Sequence, residues 1–101
     1  MPVISKRFAN VAAYCVADMQ KQLNAGLGKK SYWDYIIVLN RYLIPYFGDK
    51  FVTSIDYELL QRFAKWRADK IGREPMASTL NTHTSALNRV FDEAVVRGYM
   101  N

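Results

Sequence analysis

The residues best suited to bind a ligand lie between Ser78 and Arg89, where hydroxyl and amide side chains follow one another closely. At about 100° per residue, a helix over this stretch places a row of polar side chains opposite an apolar face. The row consists of Ser78, Thr82, Ser85 and Arg89, and the stretch also offers Thr79, Asn81 and Asn88. No carboxylate occurs until Asp92. Such a face suits a polyanion, because nothing on it repels negative charge.

A simpler explanation of the same residues is helix capping, since Ser78 alone can act as an N-cap. The polar run extends well past a cap, however, and Ser, Thr and Asn are mediocre helix formers without a local advantage over Glu, Lys or Gln. Binding is therefore the preferred interpretation. The opposite, apolar side of the helix is predicted to face the core, and it carries Leu80, Leu87, Val90, Phe91, Ala94 and Val95.

A second group of candidates lies where another helix is predicted to begin. Ser31 can cap this helix, and Asp34 lies near the positive end of its dipole. Lys29 and Lys30 precede it, and two lysines beside free backbone N–H groups make a phosphate site. Tyr32 belongs to the same helix start. Five basic residues between positions 61 and 73 have a simpler meaning, a solvated helix face, and only Arg73 in the following loop joins the candidates.

Composition limits the classes of function. The chain has 101 residues, which predicts one domain, and its net charge of +5 fits a nucleic-acid partner without requiring one. No apolar run reaches the roughly 18 residues that span a bilayer, and the N-terminus has no signal-peptide pattern, so a soluble protein in the cytoplasm is expected. Cys15 and His83 are single residues of their kind, predicted to be packing residues, and no metal or cofactor is expected.

The spacing of apolar residues predicts four helices and no sheet. The first runs from about Ile4 to Asn24 and ends at two nearby glycines. The second runs from Ser31 to about Ile44 and ends because Pro45 cannot continue the hydrogen-bond ladder. Its apolar stripe consists of Tyr32, Tyr35, Ile36, Leu39, Leu43 and Phe47.

The second half of the chain begins with an extended connector that Phe51 and Ile55 are expected to pin. Asp56 is a natural N-cap for the third helix, which closes at Gly72. Its apolar residues are Leu59, Leu60, Phe63, Ala64, Trp66 and Ile71. The fourth helix begins near Ser78, and the chain leaves it at position 98.

The order of these elements resembles the N-terminal core-binding, SAM-like domain of phage integrases in the tyrosine recombinase family. The resemblance covers roughly residues 4 to 101 and rests on pieces that are weak alone but specific in their order. They are Ser31-x-x-x-Tyr35, Leu43-x-Pro45-x-Phe47-Gly48, Val52-x-x-Ile55, Ser78-Thr79-x-Asn81 and Phe91-x-x-Ala94-x-x-x-Gly98-Tyr99-Met100-Asn101. The last residue falls where such proteins usually have Asn-Pro before the catalytic domain.

The resemblance implies an all-α, four-helix SAM-like orthogonal bundle over residues 1–101 that forms one jaw of a clamp around duplex DNA at a core recombination site. The catalytic residues of this family belong to a C-terminal domain expected to be absent from this chain, so the chain itself is expected not to be an enzyme. Its expected partners are double-stranded DNA and other recombinase protomers, with no membrane and no small-molecule substrate. Carried over by position, the DNA-facing segments are the start of the second helix and the first half of the fourth.

Both lines of reasoning thus select the same residues. Lys29, Lys30, Arg73 and Arg89 are expected to contact phosphates, and Ser78, Asn81, Thr82, Ser85 and Asn88 to approach base edges, with Ser31, Tyr32 and Thr79 beside them. A small helical module that docks a partner protein through exposed aromatic and Met residues is the alternative. A free-standing enzyme has least support, because no carboxylate pair, metal set or nucleophile–base pair occurs.

Overall fold

Helices account for the regular structure of residues 6–100, which are the residues that the computed structural model describes. The predicted helix start at Ile4 and the interpretation of Asn101 lie outside them. The elements are α1 (Phe8–Asn24), α2 (Ser31–Val38), a π-helical segment (Leu39–Leu43), α3 (Ile44–Phe47), a 3₁₀ turn (Val52–Ser54), α4 (Tyr57–Ile71) and α5 (Ala77–Val96). With the run from α2 to α3 taken as one interrupted helix, the described part is a compact four-helix globule without strands, as predicted.

The connector before α4 differs from the prediction. It is a 3₁₀ turn rather than an extended segment. Ile55 packs against the core as predicted, but its predicted partner Phe51 is 48% exposed, and the fully buried Val52 takes that place. Backbone bonds tie the connector to the start of α1, since Phe8 N–H donates to the Lys50 carbonyl at 2.8 Å and Val52 N–H to the Lys6 carbonyl at 2.9 Å. Lys6 is thus hydrogen-bonded to the connector and not part of a helix, and α1 begins at Phe8.

Pro45 does not end the second helix, contrary to the prediction. It lies in the first turn of α3, where a proline nitrogen has no helical bond to lose. The preceding segment widens into a π-helix, with Ile44 N–H donating to the Leu39 carbonyl five residues earlier. The carbonyl of Arg41, four residues before the proline, accepts a hydrogen bond from Lys70 Nζ at 3.4 Å. A side chain from α4 therefore donates to a backbone carbonyl next to the turn that Pro45 interrupts.

The ends of α4 are as predicted. The Asp56 side chain accepts a hydrogen bond from Leu59 N–H at 2.9 Å, and Gly72 ends the helix in the left-handed conformation at φ 88°. One predicted apolar position is wrong, because Ala64 is exposed. The helix is held by ring contacts, with Phe63 4.9 Å from Phe47 between ring centres. Phe63 thus packs α4 against α3, whereas its neighbour Ala64 faces solvent.

Helix α5 packs against α1 and α2 through a face that is rotated from the predicted one. Its buried residues are His83, Ala86, Val90 and Ala94, whereas Val95, predicted to be in the core, is 47% exposed. On a helical wheel the centre of the buried face lies roughly 60° from that of the predicted apolar set. Small Ala86 and Ala94 side chains let the helices approach closely, which outweighs the larger Leu80 and Leu87 at the edge of the face.

The core confirms the predicted burial of both single residues, since Cys15 and His83 are each almost fully buried. It also confirms the stripe of the second helix, where Tyr32, Ile36, Leu39, Leu43 and Phe47 are buried and Tyr35 is partly buried. No helix among residues 6–100 is long and apolar enough to cross a membrane.

Candidate nucleic-acid interface

The solvent-facing line of α5 is a row of four short polar residues, Ser78, Asn81, Ser85 and Asn88, called here the polar stripe. Ser78, Asn81 and Asn88 are exposed and Ser85 is half-buried. The rotation of α5 that buries His83 and Ala86 directs this stripe outward, and the same rotation places exposed Asp92 in line with it. The stripe is therefore free of carboxylates for about three turns and then ends at an acid.

Thr79 and Thr82 lie toward α2 rather than on the polar stripe. They share a shallow pocket with Asp34 and Ile37, so a carboxylate of α2 lies beside both hydroxyl groups. Thr82 Oγ1 also donates to the Ser78 carbonyl at 3.1 Å, one turn earlier in the same helix. These two threonines are half-buried, and their surroundings are less favourable to an anion than the sequence suggested.

Arg89 is positioned by Tyr32. The Arg89 guanidinium carbon lies 4.6 Å from the centre of the Tyr32 ring, a cation–π distance, and Tyr32 is only 8% exposed. Tyr32, selected as a DNA-facing residue, is instead a buried support beneath a cation. The backbone of Arg89 is held from the other side, because the Cys15 thiol donates to its carbonyl at 3.5 Å. Burial raises the pKa of Cys15 to about 11, so the thiol stays protonated at neutral pH.

Acidic residues partly surround Arg89. A pocket on its side of α5 is lined by Asp18, Asp92 and Glu93 as well as Arg89. Glu93 is already paired, since Arg97 Nε donates to it at 2.8 Å. These acids weaken the electrostatic potential that Arg89 produces at a distance. The contact with Tyr32 nevertheless holds the Arg89 side chain in one position, unlike an arginine that extends freely into solvent.

Lys29 and Lys30 are exposed at the start of α2, three and two residues before Tyr32, whose ring contacts Arg89. The helix start differs from the prediction, because Lys30 is the N-cap and Ser31 is the first helical residue, with no side-chain capping bond. The N–H groups of Tyr32 and Trp33 donate to the carbonyls of Lys29 and Lys30 at 3.0 and 3.2 Å. Two of the backbone donors expected for a phosphate are therefore occupied, and the lysine ammonium groups are what this end offers.

Arg73 lies at the other end of the polar stripe. It follows Gly72 in the loop before α5, is exposed, and shares its surroundings with Asp69 and Glu74. Twelve residues of α5 separate the helix start from Arg89, which corresponds to about 18 Å. The structure thus places cations at both ends of the stripe rather than in one cluster.

Lys70 and Arg62 of α4 serve packing and pairing. Lys70 Nζ lies 4.9 Å from the centre of the Trp66 ring and 5.7 Å from that of Tyr42. Arg62 pairs with Glu58 at 2.7 Å. The sequence did not predict the Lys70 contacts, because Tyr42 lies 28 residues earlier in the chain. The one hint was Pro45, which has no N–H to donate to a carbonyl of the preceding turn.

No protein-family model, curated protein or solved structure matches this chain. The chemistry of the candidate interface is set by its side chains. It offers hydroxyl and amide groups that both donate and accept hydrogen bonds, with ammonium and guanidinium groups at its ends. These groups can hold phosphate oxygens and base edges by hydrogen bonds.

Proposed function

We propose that this chain is the DNA-binding, core-binding domain of a phage-type integrase, a site-specific tyrosine recombinase of a mobile element. In this proposal the four helices form a SAM-like orthogonal bundle, one jaw of a clamp that holds duplex DNA at the core recombination site in the cytoplasm. The remaining partners are other recombinase protomers in the full-length assembly. The sequence motifs quoted above and the arrangement of α5 support it.

The observation that carries the proposal is the exposed polar stripe with cations at both ends. From Ser78 to Asn88 it extends about 15 Å, and the major groove of B-DNA is about 12 Å wide and admits an α-helix. Lys29, Lys30 and Arg89 at one end, and Arg73 at the other, are spaced to contact phosphates beyond the groove edges. Asp92 restricts base contacts to the N-terminal half of α5.

Binding by the isolated domain should be weak, with a dissociation constant on the order of 10⁻⁴ to 10⁻⁶ M at physiological salt, because mainly phosphate contacts remain in half a clamp. Titration of a duplex at several salt concentrations tests this. A steep fall of affinity with salt is expected. A slope near zero would contradict the proposal and favour an apolar docking surface.

The chain alone is expected neither to cut nor to join DNA, since the family places its tyrosine nucleophile in the other domain. Incubation with supercoiled plasmid checks this. A protein-linked nick that survives repurification, and is lost when one tyrosine is changed to Phe, would show that the domain assignment is wrong.

One observation favours the alternative, a protein-interaction module. Trp33 and Ile37 are half-exposed one turn apart on α2, and Leu27 is 80% exposed. Replacing Trp33 and Ile37 by Ser should leave duplex binding within about twofold if DNA is the partner, because neither residue is charged. A large loss of duplex affinity in this variant, with the melting temperature unchanged, would bring the apolar pair into the binding surface.

A further inference from the structure

A groove of about 300 Å³ lies between α4 and α5, with Leu43 of the π-helical segment also in its wall. Its two ends differ in chemistry. One end carries Arg67 and His83, and the other carries Leu60, Leu87 and Phe91. From the position of Thr84 to that of Phe91 the groove extends about 10 Å along α5. An amphipathic molecule could therefore place its polar group at one end of the groove and its apolar group at the other.

The guanidinium of Arg67 makes no ion pair within residues 6–100, although the negative charge of Glu74 acts on it from a distance. Its carbon lies 5.0 Å from the centre of the Phe63 ring, and Nη1 lies 3.3 Å from His83 Nδ1. Arg67 Nε is buried and has no hydrogen-bond partner within residues 6–100. Burial lowers the pKa of Arg67, a sign that its charge is incompletely solvated. A buried donor without an acceptor costs free energy, and an anion beside the guanidinium would offset part of that cost through its charge.

His83 strengthens this preference for an anion. Burial first, and the charge of Arg67 second, lower its pKa to about 4, so the ring is neutral at pH 7. A neutral ring whose Nδ1 accepts from Arg67 carries its proton on Nε2. No carboxylate lines the groove among the residues described, and Glu74, which acts on Arg67 by its charge, lies outside that lining.

We propose that this groove binds a small amphipathic monocarboxylate, with the carboxylate on the Arg67 guanidinium and the apolar chain along Leu60, Leu87 and Phe91. The length of the groove fits a chain of about eight carbons and is under two helical turns, too short to seat an amphipathic peptide helix. Its volume is at the lower end of the range for small-molecule pockets. Asn88 of the polar stripe also lines this groove, so the ligand would lie beside the proposed DNA-binding surface.

Octanoate is the probe, titrated below its micelle-forming concentration into isotopically labelled protein at pH 7 and followed by NMR. The control ligand is 1-octanol, which has the same chain without charge. The test variant is Arg67→Gln and the matched control is Arg62→Gln, which removes the same charge from an exposed position on α4. A thermal melt of each protein shows whether it is folded.

Octanoate should shift the methyl signals of Leu60 and Leu87 and bind about tenfold more tightly than octanol, the gain expected of one charge-assisted hydrogen bond. Arg67→Gln should remove that advantage and Arg62→Gln should keep it. Equal binding of octanoate and octanol to the unaltered protein, shifts confined to other helices, or no binding at millimolar octanoate would each overturn the proposal. Because the first comparison uses no variant, it decides the matter even where Arg67→Gln fails to fold.

Discussion

The Arg89 guanidinium lies 4.6 Å from the centre of the Tyr32 ring, so a cation of α5 rests on a buried aromatic side chain of α2. The contact joins the two segments selected from the sequence, the start of the second helix and the polar row of the last one. It also fixes Arg89 near Lys29 and Lys30. A cation held in this way loses less conformational entropy on binding than a free one.

Replacing Arg89 by Gln should weaken binding to every duplex and reduce the slope of log affinity against log salt by about one unit, because one phosphate contact is lost. Arg97→Gln is a matched control. Arg97 lies two turns further along the same chain, stacks 3.7 Å above Tyr14 and is paired with Glu93. Salt titrations of both variants measure the difference, and equal slopes for the two would show that Arg89 has no special contact.

Replacing Asp92 by Asn should raise duplex affinity, since a carboxylate in line with the polar stripe repels phosphates. The expected gain is about twofold to fivefold at low salt and smaller at high salt, because exposed charges are screened. Asp49→Asn removes an exposed acid outside α5, before the 3₁₀ turn, and serves as the control. If both variants gained equally, net charge and not the position of Asp92 would be responsible.

The free energy of unfolding should depend on pH through His83. Its pKa is about 4 in the folded protein against an ordinary 6.5, so the unfolded chain binds more protons between these values. Stability is complete above pH 6.5 and is lost as the pH falls toward 4, by about 3 kcal/mol. Arg67 and Tyr42 contact the ring, and Asp34 lines a pocket with it. Denaturant unfolding between pH 7 and pH 4.5 measures the loss.

Changing His83 to Asn removes the titrating ring and leaves an oxygen that can accept from Arg67. The variant should be less stable at pH 7, yet its stability should change much less than that of the unaltered protein as the pH falls to 4.5. An equally steep loss in the variant would assign the pH dependence to other groups.

Features set by a few neighbouring residues were predictable from the sequence. The Asp56 cap and the left-handed Gly72 depend only on side-chain reach and backbone strain within one turn. The stripe of the second helix was predictable for a similar reason, since most of its apolar residues were large enough to fix its direction. Pro45 misled because a proline at the start of a helical turn is compatible with continuation once the preceding turn widens.

The direction of α5 could not be predicted, because it depends on which helix the face meets. Apolar size favoured a face centred on Leu87, whereas close packing on α1 and α2 selected Ala86 and Ala94 and buried His83. Asn81 and Asn88 thereby stayed outside, but Thr79 and Thr82 turned toward Asp34. Contacts between distant segments decided the electrostatics of the site, and no spacing along the chain reveals them.

The most direct test separates residues that position DNA from residues that read it. Lys29→Ala/Lys30→Ala should weaken binding to all duplexes about equally and reduce the salt slope by up to about two units. Asn81→Ala/Ser85→Ala should leave the slope nearly unchanged and lower the discrimination between a core-site duplex and a scrambled one, by about 1 to 3 kcal/mol. Ala is the better helix former, so α5 should remain folded.

The measurement is a pair of binding curves, one on each duplex, for the unaltered protein and both double variants, with a thermal melt of each. The predicted result is that the lysine variant keeps its sequence preference and the α5 variant loses it. The contradicting result is the reverse, a lysine variant that loses preference while the α5 variant keeps it, or no duplex affinity in the unaltered protein at low salt.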